Sequence, residues 1–156
     1  MPTTMQDPIM KLIVVAIDRS EPSLRAAELA AELAQKYDAE LVLLCVVRNI
    51  RTRDPGLEAY ARMEGLHEPV PSLAIDEVHG SLNPVRDRAI AKGARQVSTD
   101  VRIGEAAEEI LACLTDCGAD LVVIGSRGHG RLTGLLLGSV VQKIASVAPC
   151  PVLVVH

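Results

Sequence analysis

The stretch Ala119–Ala148, ADLVVIGSRGHGRLTGLLLGSVVQKIASVA, constrains the fold more than any other part of the chain. Leu121–Ile124 is a short apolar run that stops at Gly125. A glycine-punctuated loop follows, and Gly138-Ser139 then opens a helical pattern. A strand that feeds a flexible loop and then a helix start builds an anion site. The first amides of a helix have no intrahelical acceptor, and they sit at the positive end of its dipole. Glycines let the preceding backbone approach a ligand closely and take positive φ. Ser139 caps the helix or gives its hydroxyl to a phosphate oxygen, and the first-turn amides around Val140 and Val141 point the same way. The stretch reads as a phosphate cradle.

The remaining chain alternates strand and helix signals. Lys11–Ile17 (KLIVVAI) and Leu41–Val47 (LVLLCVV) are continuous apolar runs of the kind buried on both faces of a parallel sheet. Between them, Ser20-Glu21-Pro22 is a helix-start signature. Ala26, Leu29, Ala30, Leu33 and Tyr37 then mark one apolar helix face. This is a βαβ unit with a right-handed crossover. From Arg48 to Gly80 the chain is rich in turn residues and reads as an irregular insertion, with a short helix near Leu57–Met63. Leu82–Val97 is expected to be helical with Pro84 in its first turn, and Ser98–Ile103 to be a half-exposed edge strand. Glu105–Cys117 reads as a helix with acidic residues at its start, Ser139–Ala148 as a short helix, and Pro151–Val155 as a fifth strand. The pair Glu108-Glu109 reads as surface charge. Met1–Pro8 is expected to be a frayed tail.

With 156 residues and 49% apolar composition, the chain suits one domain with a substantial core. Phe and Trp are absent, and Tyr37 and Tyr60 are its two aromatics, so that core must be aliphatic. A net charge of −4 and the lack of stacking aromatics argue against broad nucleic-acid binding. No apolar run approaches the roughly 20 residues of a membrane span and no signal-peptide core is visible, so a cytoplasmic location is expected. Cys45, Cys113, Cys117 and Cys150 lack zinc-ligand spacing and read as free thiols of a reducing compartment. His67 and His79 are likewise poor metal ligands.

Two familiar glycine motifs fail on spacing. The Walker A pattern needs Lys-Ser/Thr where Arg131-Leu132 follows Gly130, and the dinucleotide fingerprint is missed by one residue between Gly130 and Gly134. What fits is Gly125, two residues, Gly128, nine residues, then Gly138-Ser139. This matches the G-2x-G-9x-G-[ST] signature, and the chain from Lys11 to Val155 resembles the ATP-binding universal stress proteins. The resemblance implies an α/β fold with a five-stranded parallel sheet, order 3-2-1-4-5, helices on both faces, Rossmann-like. It also implies an ATP site between strands one and four, and a homodimer in which the Pro151–Val155 strand pairs antiparallel with its twin. Matched position by position, it places Asp18 on the ribose and the backbones of Ala16 and Val46 against the adenine. Gly125, Gly128, Gly138, Ser139 and Val140 then line the ribose–phosphate path, with Gly130 in the intervening loop and Mg²⁺ held by the phosphates. Ala16 stands where nucleotide-binding members often carry proline, and Arg19 adds a charge beside the ribose.

Asp18 lies where the first strand meets the first helix. It either caps that helix or, with Ser20 better placed as the cap, offers its carboxylate to ligand hydroxyls. Arg127, His129 and Arg131 add positive charge in the glycine loop, either toward a phosphate or simply exposed. Arg48, Arg51 and Arg53 are solvated loop arginines or a lid over the phosphates. Two function classes follow. The first is a nucleotide-binding regulatory or sensor protein. The second is a slow ATPase or ATP-dependent transferase, for which no Walker-B acid, catalytic-loop Asp or P-loop Lys is found and His129 is the one nearby base.

Overall fold

The computed structural model describes residues 9–48, 70–128 and 137–156, with the backbone alone for 70–74. In chain order the elements are β1 (Leu12–Ala16), α1 (Glu21–Tyr37), β2 (Glu40–Val47), α2 (Val70–Ala91), β3 (Val97–Ile103), α3 (Ala106–Cys117), β4 (Leu121–Gly125), α4 (Ser139–Val147) and β5 (Val152–Val155). The strands form a five-stranded sheet of order β3-β2-β1-β4-β5. Every neighbouring pair is parallel, with Val14 opposite Val42 on one side and Val122 on the other. The expected α/β architecture and strand order are therefore those of the molecule.

Strand alternation divides the core into two layers. Ile13, Val15, Leu41, Leu43 and Val123 pack against α1 and α2. Val14, Leu44, Val122 and Ile124 pack against α3 and α4, through Ile110, Leu114, Val141 and Ile144. The seam on α1 is built from Ala26, Ala27, Ala30, Ala31 and Ala34, which lets the helix backbone settle close to the sheet. Tyr37, assigned above to the apolar face, is instead exposed beneath the Lys36 ammonium, 6.0 Å from its ring centre. Small residues, not large ones, define this contact.

The clearest departure from the sequence reading is α2. Residues 70–80, expected to be irregular, are helical, and Pro84 lies inside the helix, not in its first turn. Pro71 falls in the first turn, where a missing N–H costs nothing. Gly80 and Pro84 lie on the exposed side, so the hydrogen bond that Pro84 cannot donate to the carbonyl four residues before it is lost at the helix surface and not in the core. The helix also stops short of the expected Val97. Gly93 adopts φ +101°, and the Ala94 amide closes on the Ala89 carbonyl at 3.1 Å. The expected short helix near Leu57–Met63, together with Arg51, Arg53 and His67, lies outside the described residues, as does the tail Met1–Pro8.

The two charged side chains of β3 are paired on the α3 side. Arg102 Nε meets Asp100 Oδ2 at 2.9 Å, and Arg102 Nη1 meets Asp116 Oδ2 at 3.0 Å. Cys113 donates its S–H toward Asp100 Oδ2 at 3.7 Å. Burial pushes the Cys113 thiol from its ordinary 9.0 up to about 12, against the opposing pull of Arg102. The unfolded chain releases this proton from about pH 9, whereas the folded chain holds it until about pH 12. Stability from this group is therefore complete below pH 9 and lost as pH rises toward 12. Urea midpoints measured across that window should fall more steeply for the wild type than for Cys113→Ala. Equal slopes would remove Cys113 as the titrating group.

Candidate functional site

The site is built at the carboxyl ends of β1 and β4, where the chain changes sheet faces. From β1 the chain runs outward through β2 to β3 with α1 and α2 on one face, whereas α3 and α4, which flank β4, lie on the other. The adjacency of β1 and β4 is thus the topological switch point, the place where open α/β sheets leave a crevice for ligands.

Asp18 stands two residues beyond the end of β1. Arg19 follows in a left-handed conformation, φ +66°, a turn that non-glycine residues enter at a cost and that reverses the chain into α1. Ser20 is the N-cap of α1, and its Oγ accepts the Ser23 amide at 3.3 Å. Asp18 is held from this side: its Oδ1 accepts the Ser20 amide at 2.9 Å and also the Ser20 hydroxyl. Ser23, buried at 2% exposure, closes the turn by donating to the Ser20 carbonyl at 2.9 Å.

The second wall comes from β4. Its last residue, Gly125, is seated under the start of α1, where an added Cβ would lie 2.7 Å from the Ser23 nitrogen and 2.8 Å from the Pro22 carbonyl carbon. Buried Ser126 continues the chain, its amide on the Val155 carbonyl at 2.7 Å. Its own carbonyl accepts the Gly138 amide at 2.9 Å. The chain leaves the sheet at Ser126 and therefore returns beside it at Gly138. Gly138 is the N-cap of α4 with φ −67°, and its carbonyl accepts the Gln142 amide at 3.0 Å. Ser139 is thus the first helical residue and not the cap. Its amide and those of Val140 and Val141 form the helix's unpaired first turn.

Gly128 joins the two walls. A Cβ placed on it would stand 2.6 Å from Asp18 Oδ2, and one on Gly138 would lie 4.0 Å from the Gly128 nitrogen. Asp18, Gly128 and the first turn of α4 consequently share one crevice. None of Gly125, Gly128 and Gly138 has positive φ. At Gly125 and Gly128 the requirement is clearance, not the backbone freedom expected from the sequence. Ala16, opposite Leu44 and Ile124, and Val46, opposite Arg102, lie at the same end of the sheet and turn toward the α3/α4 side. Arg127 is exposed beside the crevice, and Arg48 is exposed just past β2. Gly130, His129 and Arg131 lie outside the described residues.

This geometry agrees with what comparison finds. The family model of the universal stress proteins matches residues 10–156. The chain belongs to the universal stress protein family. It is 34% identical over 152 residues to universal stress protein YxiE of Bacillus subtilis, covering 92% of this chain and 97% of that one. The fold is shared with universal stress protein UspA from Lactobacillus plantarum, at a TM-score of 0.80 and 21% identity over 94% of this chain and 98% of the other. A universal stress protein solved in complex with cAMP superposes at a TM-score of 0.70, with 26% identity over 94% of this chain and 97% of that one.

Within this universal stress protein, sequence reasoning had not singled out Ser23 or Ser126. Both are buried polar residues that hold the crevice walls together. Ser23 stands where a capping box would carry Glu or Gln, so no helix-start pattern marks it. Cys45 also belongs to the surroundings of the crevice. Burial pushes its thiol up, Arg19 opposes the shift and Asp18 adds to it.

Proposed function

We propose that this universal stress protein binds an adenine nucleotide, with ATP as its ligand, in the crevice between β1 and β4. The observation that carries this reading is the juxtaposition of the Asp18 carboxylate with Gly128 and the open first turn of α4. A carboxylate accepts hydrogen bonds from sugar hydroxyls, and unpaired amides at a helix start hold phosphate oxygens. Asp18 then takes the ribose, Gly128, Gly138, Ser139 and Val140 line the phosphate path, and the backbones of Ala16 and Val46 flank the adenine. Gly125 contributes by letting α1 close on the sheet, and Gly130 is assigned to the same ligand. The cAMP-bound relative supports an adenine-bearing ligand in this fold.

The nucleotide carries Mg²⁺ on its phosphates. In this reading the protein is a single-domain cytoplasmic regulator or sensor of the stress response whose nucleotide occupancy sets its conformation or partners. It works as a homodimer through the outer edge of β5. That edge strand is half-buried within one chain, which suits closure by a second copy.

The test is acid extraction of the purified protein and chromatography of the supernatant, followed by melting with added ATP·Mg²⁺. Ligand at a hundredfold over Kd stabilises by about 2.7 kcal/mol, a rise of roughly 5–10 °C in a domain of this size. Absence of both an extracted adenine nucleotide and a melting shift would sink the proposal. A single-turnover assay addresses turnover separately. Slow or absent conversion of ATP to ADP is expected, and fast conversion would make the protein an enzyme.

A further inference from the structure

At the end of the sheet opposite the crevice, the chain gathers three of its four cysteines, all of them free. Cys117 closes α3 just before β4 begins at Leu121, and Cys150 stands in the link from α4 to β5, just before Val152. β4 and β5 are parallel neighbours, and the Val122 amide reaches the Pro151 carbonyl at 3.0 Å. The helices that feed them are neighbours too, since Ile110, Leu114, Val141 and Ile144 share one core layer and Lys143 Nζ lies 4.0 Å from Glu108 Oε1. Two such helices deliver the residues that precede each strand to the same place. Cys113, one turn behind Cys117 on α3, packs in that layer together with Cys150. Burial pushes the Cys113 and Cys150 thiols up, and in both the charge of nearby Cys117 adds to the effect.

The three thiols differ in access. Cys113 is 2% exposed and directs its S–H toward Asp100, Cys150 is half-buried between Pro149 and Pro151, and Cys117 is exposed. An oxidant arriving from water therefore meets Cys117 first. Cys113 is a poor partner for it. Residues at i and i+4 of one helix hold their Cβ atoms about 5–6 Å apart, whereas a disulfide needs about 3.5–4.5 Å, so that bond would break the last turn of α3. Cys150 lies on a separate segment outside any helix and is under no such constraint.

We propose that Cys117 and Cys150 form a hydroperoxide-responsive dithiol, in which exposed Cys117 is oxidised first and half-buried Cys150 resolves it to an intrachain disulfide. The Cys117 thiol loses its proton and its sulfur attacks one peroxide oxygen. An S–O bond forms, the O–O bond breaks, and the other oxygen takes up a proton and leaves as water or an alcohol. The Cys150 sulfur then attacks the sulfenic sulfur. The S–S bond forms, the S–O bond breaks, and the hydroxyl leaves as water with the Cys150 proton. Two electrons pass from the sulfurs to one hydroperoxide. The closed loop contains β4, Gly125, Gly128, Gly138 and α4, so oxidation fastens both ends of the segment that forms one wall of the crevice.

The experiment treats the reduced full-length protein with hydrogen peroxide and blocks the remaining thiols with N-ethylmaleimide. Digestion with trypsin and an aspartate-specific protease, which cuts before Asp116, then separates Cys113 from Cys117. Free thiols should fall from four to two, and mass spectrometry should find the Cys117 and Cys150 peptides joined. The oxidised protein should melt about 5–10 °C higher, the scale for closing a loop of this length, and return to its starting value with dithiothreitol. In Cys150→Ser the sulfenic acid should persist on Cys117 and be captured by dimedone, whereas Cys117→Ser should keep its thiols at the peroxide dose that oxidises the wild type. A bond between Cys113 and Cys117, a bond joining two chains, or no loss of thiols at a dose that oxidises free glutathione would overturn the proposal. These measurements involve no nucleotide, so their outcome is independent of the ligand reading above.

Discussion

Gly125→Ala should cost this protein about 2–3 kcal/mol of unfolding free energy, the upper range for overpacking a close contact. The added methyl would lie 2.7 Å from the Ser23 nitrogen, 2.8 Å from the Pro22 carbonyl carbon and 2.9 Å from Pro22 Cβ. Two of those three atoms are backbone in the first turn of α1, so no rotamer change relieves them. The helix must move off the sheet, and its alanine seam moves with it. Gly138→Ala is the matching control. Among the described residues a Cβ there meets nothing nearer than 3.8 Å, and φ −67° suits any residue, so the unfolding free energy should stay within about 0.5 kcal/mol of wild type. Chemical denaturation of the two variants separates them. Equal stabilities would mean that α1 yields freely and that its close seat on β4 is not a constraint.

That contrast bears on how much of the molecule could be read before its structure. The signature glycines look equivalent in the sequence, yet Gly125 serves helix–sheet packing and Gly128 leaves room for a carboxylate. Spacing records that small residues are needed, but it does not record what each one clears. Strand order was legible because Leu12–Ala16, Glu40–Val47 and Leu121–Gly125 carry the unbroken apolar runs of buried parallel strands, and the family resemblance supplied their arrangement. The first half of α2 was not legible. Pro71, Gly80 and Pro84 each disfavour a helix locally, but their places in a first turn and on an exposed side make all three tolerable. The turn around Asp18 was half legible. Ser20 as cap followed from Ser-Glu-Pro and its hold on Asp18 is local, two residues away, whereas its approach to Arg127 is a contact between distant segments. No local pattern encodes that kind of contact.

Gly128→Ala should weaken ATP binding by about tenfold to a hundredfold, the range set by losing a hydrogen bond to a charged acceptor, and should destabilise the fold less than Gly125→Ala does. Among the described residues, the new Cβ would meet Asp18 Oδ2 at 2.6 Å and the Asp18 carboxyl carbon at 3.8 Å. The obstructing atom is thus the end of a side chain and not backbone, so the strain is relieved by turning the carboxylate against its Ser20 hydrogen bonds without moving a helix. Rotation takes the carboxylate away from the position proposed for the ribose. Asp18→Ala should cause a loss of the same size by removing the acceptor altogether. The decisive quantity is the double variant. If Gly128→Ala acts by displacing Asp18, the pair should bind ATP no worse than Asp18→Ala alone, because the methyl then has no carboxylate to displace. Additive losses would mean that Gly128 acts on the phosphate path independently of Asp18. In that outcome the two walls would contribute as separate subsites, and the carboxylate would no longer depend on the glycine facing it.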